Sequence, residues 1–212
     1  MDRKGKETEK RIIESALDLF VRNGYHGTSI HDITANIGLT KGALYAHFSS
    51  KSELLHKIIN EFKTRFIDAM IRITDAYEGN SLEKLLRMIR FNSKFLFENY
   101  NLCVFLTLLT SELGDDADFE PALKSVYAKY QKFVSGIVRQ GIQQGLFWKE
   151  HDPDFVALLI ISMHDGLLHQ WALNRKKLDG MKVVETFNKT LVYGLLGPDI
   201  DKPDEASLRP KT

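Results

Sequence analysis

Two short amphipathic segments separated by a glycine, within residues 28–51, constrain the fold of this chain more than any other feature of its sequence. In the first segment Ile30, Ile33 and Ile37 recur at the spacing of one helical face. Gly38 follows them, where a glycine relieves the left-handed backbone conformation that ends many helices. A helix, a glycine turn and a second helix form the helix-turn-helix pattern, whose second helix enters the major groove of DNA.

Capping residues indicate where both helices begin. Thr28 or Ser29 can cap the first helix, with Asp32 as the returning half of a capping box. Thr40 is placed to cap the second helix. The second helix is expected to bury two apolar side chains, Leu44 and Phe48. Its outward face carries no acidic residue, as an approach to phosphate groups requires, although a helical hairpin in an all-α core would show a similar pattern.

The overall charge does not point to a nucleic-acid partner, because the formal net charge is only +1 at pH 7. Residues 1–56 hold eight Lys and Arg against seven Asp and Glu, so this segment is balanced as well. Within the helix-turn-helix, Lys41 and Lys51 stand against a single aspartate, with His31 and His47 beside them. This modest basic patch predicts DNA binding that weakens strongly with salt.

The pattern continues on both sides of the two helices. Its residues read IIESALDLF at 12–20, NGY at 23–25, TSI at 28–30, GLTKGALYAHF at 38–48 and KSELL at 51–55. This stretch, without gaps, resembles the DNA-binding domain of the TetR family of transcriptional regulators. Beyond Phe62 the resemblance is one of architecture and length.

The resemblance implies DNA contacts at Thr28, Ser29, His31, Thr40, Lys41, Gly42, Ala43, Tyr45, His47 and Lys51. Lys41 and Lys51 would neutralise phosphates, and Tyr45 and His47 would contact the DNA backbone through their polar tips.

Base reading is expected to be limited at the centre of the second helix. Gly42 and Ala43 would permit close approach to base edges, and Ala43 could contact a thymine methyl group. Ser29 and His31 could reach a phosphate or a base edge. Because few long side chains remain, much of the specificity would come from DNA shape or from Lys41.

Apolar residues at helical spacing continue through the chain, and no stretch shows convincing strand alternation. The chain is therefore predicted to be all-α with about nine helices: a three-helix head and a larger helical domain. We expect a DNA-binding domain at 1–52, a ligand-binding and dimerisation domain at 53–197, and a disordered tail at 198–212. The charged segment 1–6 is expected to be a disordered arm. In the resembling family, the helix that follows the head moves when ligand binds.

The last two predicted helices hold more large apolar residues than a peripheral helix needs. The candidates for a dimer interface are Leu159, Met163, Leu167, Trp171, Phe187 and Leu191. An intramolecular core would also explain them. A two-fold homodimer, however, reads two half-sites of a palindromic operator, and TetR-type proteins dimerise through their two C-terminal helices.

Polar residues within otherwise apolar helices are candidates for the lining of an effector cavity. They are Asn92, Thr107, Glu112, Tyr127, Tyr130, His164 and Asp165. The Phe- and Leu-rich composition favours a hydrophobic or acyl-type small molecule. His164 and His169 are five residues apart on one helix, so they cannot easily share a metal ion, and no metal or cofactor is expected.

These patterns favour a ligand-responsive, dimeric repressor that binds double-stranded DNA. The alternatives are a transcriptional activator and a helical ligand-binding protein that has lost DNA binding. No nucleophile elbow, phosphate loop or metal-ligand spacing points to an enzyme. The single cysteine excludes an internal disulfide, and no signal peptide or apolar run near 18 residues is recognised. A cytoplasmic protein without a membrane segment is expected.

Overall fold

The computed structural model describes residues 3–113, 118–174 and 177–196 of the chain. In these residues the regular elements are helices, as predicted. They are α1 (Arg3–Asn23), α2 (Ile30–Asn36), α3 (Lys41–Tyr45), α4 (Lys51–Phe62), α5 (Ala69–Asp75), α6 (Ser81–Glu98), α7 (Tyr100–Leu109), α8 (Glu120–Gln143), α9 (Pro153–Asn174) and α10 (Gly180–Leu195). A π-helical turn (Lys63–Asp68) lies between α4 and α5 in the chain, and a 3-10 turn (Thr110–Glu112) follows α7. The all-α prediction is confirmed.

The N-terminal segment differs from its prediction. Helix α1 begins at Arg3, so most of the segment expected to be a disordered arm is helical. One reason is local, since the Thr8 hydroxyl donates to the carbonyl of Lys4 at 3.0 Å. The other is a tertiary contact, since Lys57 of α4 pairs with Glu9 at 2.8 Å. The predicted disordered tail at 198–212 lies outside the described residues.

The chain divides into two compact units. The first unit comprises Met1–Thr64 and Asn99–Ser125, and the second comprises Arg65–Glu98 and Val126–Thr212. Helix α7 therefore belongs with the helix-turn-helix, where the rings of Phe20 in α1 and Phe105 in α7 stack at 5.1 Å.

In the first unit, apolar side chains of α1 to α4 form the core beneath the helix-turn-helix. Ile12, Ile33 and Leu44 are fully buried. The hydroxyl of Ser15 donates to the carbonyl of Ile33 at 3.0 Å and fixes α2 against α1. These contacts hold α2 and α3 by their inner faces and leave their outer faces to solvent.

In the second unit, an aromatic group lies between α6, α8 and the π-helical turn. Phe66 stacks with Phe91 at 6.0 Å and packs on Phe95 at 5.0 Å, and its ring meets the edge of Tyr130 at 5.9 Å. The turn at Lys63–Asp68 therefore contacts the interior of this unit through a side chain of its own.

Helix α9 departs from the expectation that no apolar run could span a membrane. Its 22 residues, Pro153–Asn174, are long and apolar enough to cross one by length and composition alone. Only 22% of its most apolar window is buried. A helix that a partner protein covers has the same composition, so the composition of α9 alone does not assign this helix to a membrane.

Candidate DNA interface and interior polar cluster

The beginning of α2 is fixed by the predicted capping box. The Ser29 hydroxyl accepts a hydrogen bond from the Asp32 amide at 3.2 Å, and the Asp32 carboxylate accepts from the Ser29 amide at 2.8 Å. Hydrogen bonds from the hydroxyl and the amide of Ser29 hold the pKa of the Asp32 carboxyl below its ordinary value. The Asp32 carboxylate therefore stabilises the N-terminus of α2.

The turn between α2 and α3 requires its glycine for backbone reasons. Gly38 has φ +67°, and a Cβ built there would meet no atom within 4 Å. The left-handed angle, and not a lack of space, therefore selects glycine. Thr40 caps α3 by accepting from the Ala43 amide at 3.2 Å, as predicted.

The outer face of α3 is exposed and carries no acid. Lys41 and Gly42 are exposed, and the Tyr45 ring is 52% exposed. Ala43 and His47 are partly buried at the edges of this face. Ser29 and His31, at the start of α2, are partly or fully in solvent as well, so most of the predicted contact residues can be reached by DNA.

Thr28 and Lys51, in contrast, are internal supports. Thr28 is 1% exposed, and its hydroxyl donates to the carbonyl of Gly24 at 2.9 Å. The Lys51 ammonium donates to the carbonyls of Tyr25 at 3.0 Å and Thr28 at 2.9 Å, and lies 4.3 Å from the centre of the Tyr25 ring. Desolvation lowers the pKa of Lys51, although the negative charge of Glu112 acts to raise it. Both residues therefore stabilise the turn after α1, and their prediction as DNA contacts is corrected.

Replacing Lys51 with methionine is expected to lower the free energy of unfolding by about 1–3 kcal/mol, because two carbonyls of the turn after α1 lose their donor. Urea denaturation measures this change. The salt dependence of DNA binding should stay as in the unchanged protein. A variant of normal stability whose DNA binding depends less on salt would restore Lys51 as a phosphate contact.

Two residues of the predicted effector set belong to the first unit. Glu112 accepts a hydrogen bond from the Tyr25 amide at 3.1 Å, and its other oxygen lies 3.7 Å from His26. The Thr107 hydroxyl donates to the carbonyl of Cys103 one turn earlier at 3.1 Å. Glu112 thus supports the turn after α1, and Thr107 is bonded within its own helix, so neither remains in the proposed effector site.

The other predicted effector residues come together inside the second unit. Asn92 of α6 donates to the Tyr130 hydroxyl of α8 at 2.6 Å, and this hydroxyl lies 3.2 Å from His164 Nδ1 of α9. Beside them, the Tyr127 hydroxyl donates to the carboxyl of Asp165. We call Asn92, Tyr130 and His164 the interior polar cluster.

Burial controls the charge of the groups in and beside this cluster. It lowers the pKa of His164 to about 4 and raises the pKa of the Asp165 carboxyl to about 6. It also raises the pKa of the Tyr130 hydroxyl. At pH 7 the cluster itself is therefore uncharged.

Replacing Asp165 with asparagine is expected to change how stability depends on pH. Between the ordinary pKa of 3.8 and the raised value of about 6, the folded protein holds a proton that the unfolded chain releases, so this carboxyl stabilises less as pH rises. The melting temperature of the variant, relative to the unchanged protein, should rise from pH 4 to pH 6 and then stay level. Thermal unfolding across this range measures the difference, and a constant difference would contradict the raised pKa.

Helix α9 presents an apolar face to solvent. Its most exposed large side chains are Phe155 (67%), Leu158 (47%), Leu159 (62%) and Leu173 (78%). Small residues, Ser162 and Gly166, lie on the same exposed side. On α10, Met181 and Tyr193 are 48% and 37% exposed. We call the exposed side of α9 the α9 face.

The predicted dimer residues occupy this region only in part. Leu159 lies on the α9 face, and the next three are partly buried: Met163, Leu167 and Trp171. Phe187 and Leu191 are 5% and 8% exposed and pack inside the protomer, so their prediction as interface residues is corrected. The predicted residues of α9 are spaced by four, and each such step advances about 40° beyond a full turn of the helix. The predicted stripe therefore moves away from the exposed face on which it begins. Spacings of three and four together would have found Phe155, Leu158 and Leu173.

A surface groove of about 560 Å³ lies beside the end of α5. It is lined by Arg72, Ile73, Ala76, Tyr77, Glu78 and Arg87. The Arg87 guanidinium lies 4.9 Å from the centre of the Tyr77 ring, and its Nε donates to the carbonyl of Ile73 at 3.2 Å. None of the predicted effector residues lines this groove. Across the described ranges, no group of three or more His, Cys, Asp or Glu residues could hold a metal ion.

Two family profiles together match most of the chain. Residues 12–58 match the profile described as Bacterial regulatory proteins, tetR family, and residues 56–194 match the profile described as YsiA-like protein, C-terminal region. The fatty acid metabolism regulator protein of Bacillus subtilis (strain 168) is 24% identical over 186 residues, which are 87% of this chain and 94% of that protein.

Solved structures show the same fold. The MbdR regulator from Azoarcus sp. CIB has a TM-score of 0.80 and 26% identity, covering 90% of this chain and 100% of its own. The transcriptional regulator FadR from Bacillus subtilis, solved in complex with stearoyl-CoA, has a TM-score of 0.73 and 23% identity, covering 88% of this chain and 98% of its own.

Proposed function

The chain belongs to the TetR family of bacterial transcriptional regulators, and we propose that it is a dimeric repressor released from a palindromic operator by a small hydrophobic effector. The family is one of regulators and not of enzymes. The observation that carries the proposal is the exposed, acid-free outer face of α3, held by Thr40 and Gly38 over a buried inner face.

For operator binding, the proposed contacts are reduced to residues that reach solvent. They are Ser29, His31, Thr40, Lys41, Gly42, Ala43, Tyr45 and His47. Lys41 supplies the charge of this face, so it is the proposed phosphate contact. A Cβ added at Gly42 would meet only the Thr40 hydroxyl at 3.9 Å, so the protein itself has room for a larger side chain at this position. A larger side chain would, however, occupy space between α3 and bound DNA, so glycine lets the helix approach the base edges closely.

For dimerisation, the α9 face is the proposed contact. Leu158 and Leu159 would meet their counterparts across a two-fold axis, with α10 completing a four-helix interface. Large apolar patches on soluble proteins are ordinarily covered by a partner. This arrangement also accounts for the membrane-like composition of α9 without a membrane, and it supplies the two heads that a palindrome requires. We place the action of this dimer in the cytoplasm, where the DNA is.

For the effector response, the interior polar cluster is the proposed binding site. Its Tyr130 ring contacts Phe66, which belongs to the π-helical turn. Such turns occur frequently at functional sites. The stearoyl-CoA bound by the Bacillus subtilis regulator supports an acyl-type or otherwise hydrophobic effector here.

A gel-shift measurement with the DNA upstream of the gene for this protein tests the proposal. A retarded band with the stoichiometry of one dimer per duplex is the expected result. If a folded dimer fails to shift any part of this region, the alternative of a helical ligand-binding protein without DNA binding is favoured. Transcription assays with the same DNA distinguish repression from activation.

A further inference from the structure

The interior polar cluster contains a hydrogen-bonding group without a partner. The side-chain oxygen of Asn92 is buried and forms no hydrogen bond with any described residue, although the amide nitrogen donates to the Tyr130 hydroxyl at 2.6 Å. Asn92 as a whole is 8% exposed. A buried polar atom without a partner is costly, and here it lies next to the hydrogen-bonded side chains of Tyr130 and His164, so a ligand bound at this cluster would complete it.

The other groups of the cluster do not pair with the Asn92 oxygen. The Tyr130 hydroxyl accepts from the Asn92 amide nitrogen, and its single proton is available to His164 Nδ1, which lies 3.2 Å away. The Asn92 oxygen therefore remains an acceptor for a ligand that carries a donor.

Among the described residues, the polar atoms of the cluster have no partner of positive charge: no Lys or Arg forms a hydrogen bond or an ion pair with Asn92, Tyr130 or His164. The neighbouring ionisable group is Asp165, a carboxyl of the same sign as an acid ligand. Burying a carboxylate without a cation costs far more than burying an alcohol or a carbonyl group.

From this geometry we propose that the interior polar cluster binds the hydroxyl group of an uncharged ligand, an alcohol, and rejects a free carboxylate. Asn92 is the residue that determines this choice, because its unpaired oxygen accepts a hydrogen bond from the hydroxyl. The inference rests on the proposed effector response and adds the chemical class of the effector to it.

Two probes of equal chain length, 1-decanol and decanoate, test the inference by calorimetric titration at pH 8. We expect the protein to bind 1-decanol at least about tenfold more tightly than decanoate, since the hydroxyl pairs with Asn92 and the carboxylate has no cation. Asn92→Leu, similar in size, should weaken the binding of 1-decanol by about tenfold, because the hydroxyl loses its acceptor. The variant should fold, because leucine fills a similar volume and the Tyr130 hydroxyl keeps His164 as a hydrogen-bond partner.

Thr74→Val is the matched control. Thr74 is fully buried in α5, and its hydroxyl also lacks a partner, but it is not part of the cluster. This variant should bind 1-decanol as tightly as the unchanged protein. Equal or tighter binding of decanoate, or an unchanged affinity of Asn92→Leu for 1-decanol, would overturn the inference. Binding of neither probe would also overturn it, whereas operator binding in the gel shift would still support the proposed function.

Discussion

Replacing Leu159 with aspartate is expected to turn the protein into a monomer and to weaken operator binding by at least about 100-fold. Leu159 is 62% exposed on the α9 face. In a two-fold dimer the substitution would bury two carboxylates without partners, and this cost exceeds what an apolar contact contributes. A monomer contacts one half-site only, so most of the binding free energy of the palindrome is lost.

Light scattering and operator titration measure the two effects together. The matched control is Leu113→Asp, since Leu113 is also exposed, at 38%, but lies in the first unit and off the α9 face. The control should remain a dimer. A Leu159→Asp protein that stays dimeric and binds the operator normally would exclude the α9 face as the interface.

Replacing Lys41 with glutamate is expected to reduce operator affinity by roughly 100-fold at moderate salt. The change removes a phosphate contact and places a negative charge on the helix that approaches the DNA. Because the dimer carries two copies of Lys41, the plot of log affinity against log salt concentration should also become less steep, by the amount expected for the loss of about two phosphate contacts. Titrations of one operator at several salt concentrations measure both quantities.

Lys149→Glu controls for net charge in this experiment. The Lys149 side chain is 83% exposed and lies in the second unit, so the variant has the same total charge as Lys41→Glu. Its operator affinity should stay close to that of the unchanged protein. If both variants weaken binding equally, the effect of Lys41 comes from overall charge and not from a contact.

The helix-turn-helix could be predicted almost residue by residue because its signals are local. The capping residue Ser29 lies next to the helix that it caps, and Gly38 acts through its own backbone angle. The inner apolar positions follow directly from helical spacing. The same local reasoning could not show that Lys51 turns inward, since its partners Tyr25 and Thr28 are distant in sequence.

Tertiary contacts account for the other differences. Nothing in the sequence of α7 shows that Phe105 packs on Phe20 and joins this helix to the first unit. Of the predicted effector residues, Asn92, Tyr130 and His164 meet because three separate helices converge, whereas Glu112 was chosen for the same polar character and supports a turn. Sequence identified polar residues in apolar helices but could not assign them to one site.

Selection of bound sequences from random duplex DNA, with the mass of the protein–DNA complex determined by light scattering, tests the central claim most directly. The expected result is a palindrome whose half-sites are bound by one dimer, with protection at both halves. Selection of no sequence by a folded dimer, or of a single half-site by a monomer, would contradict a dimeric regulator that reads DNA through α3.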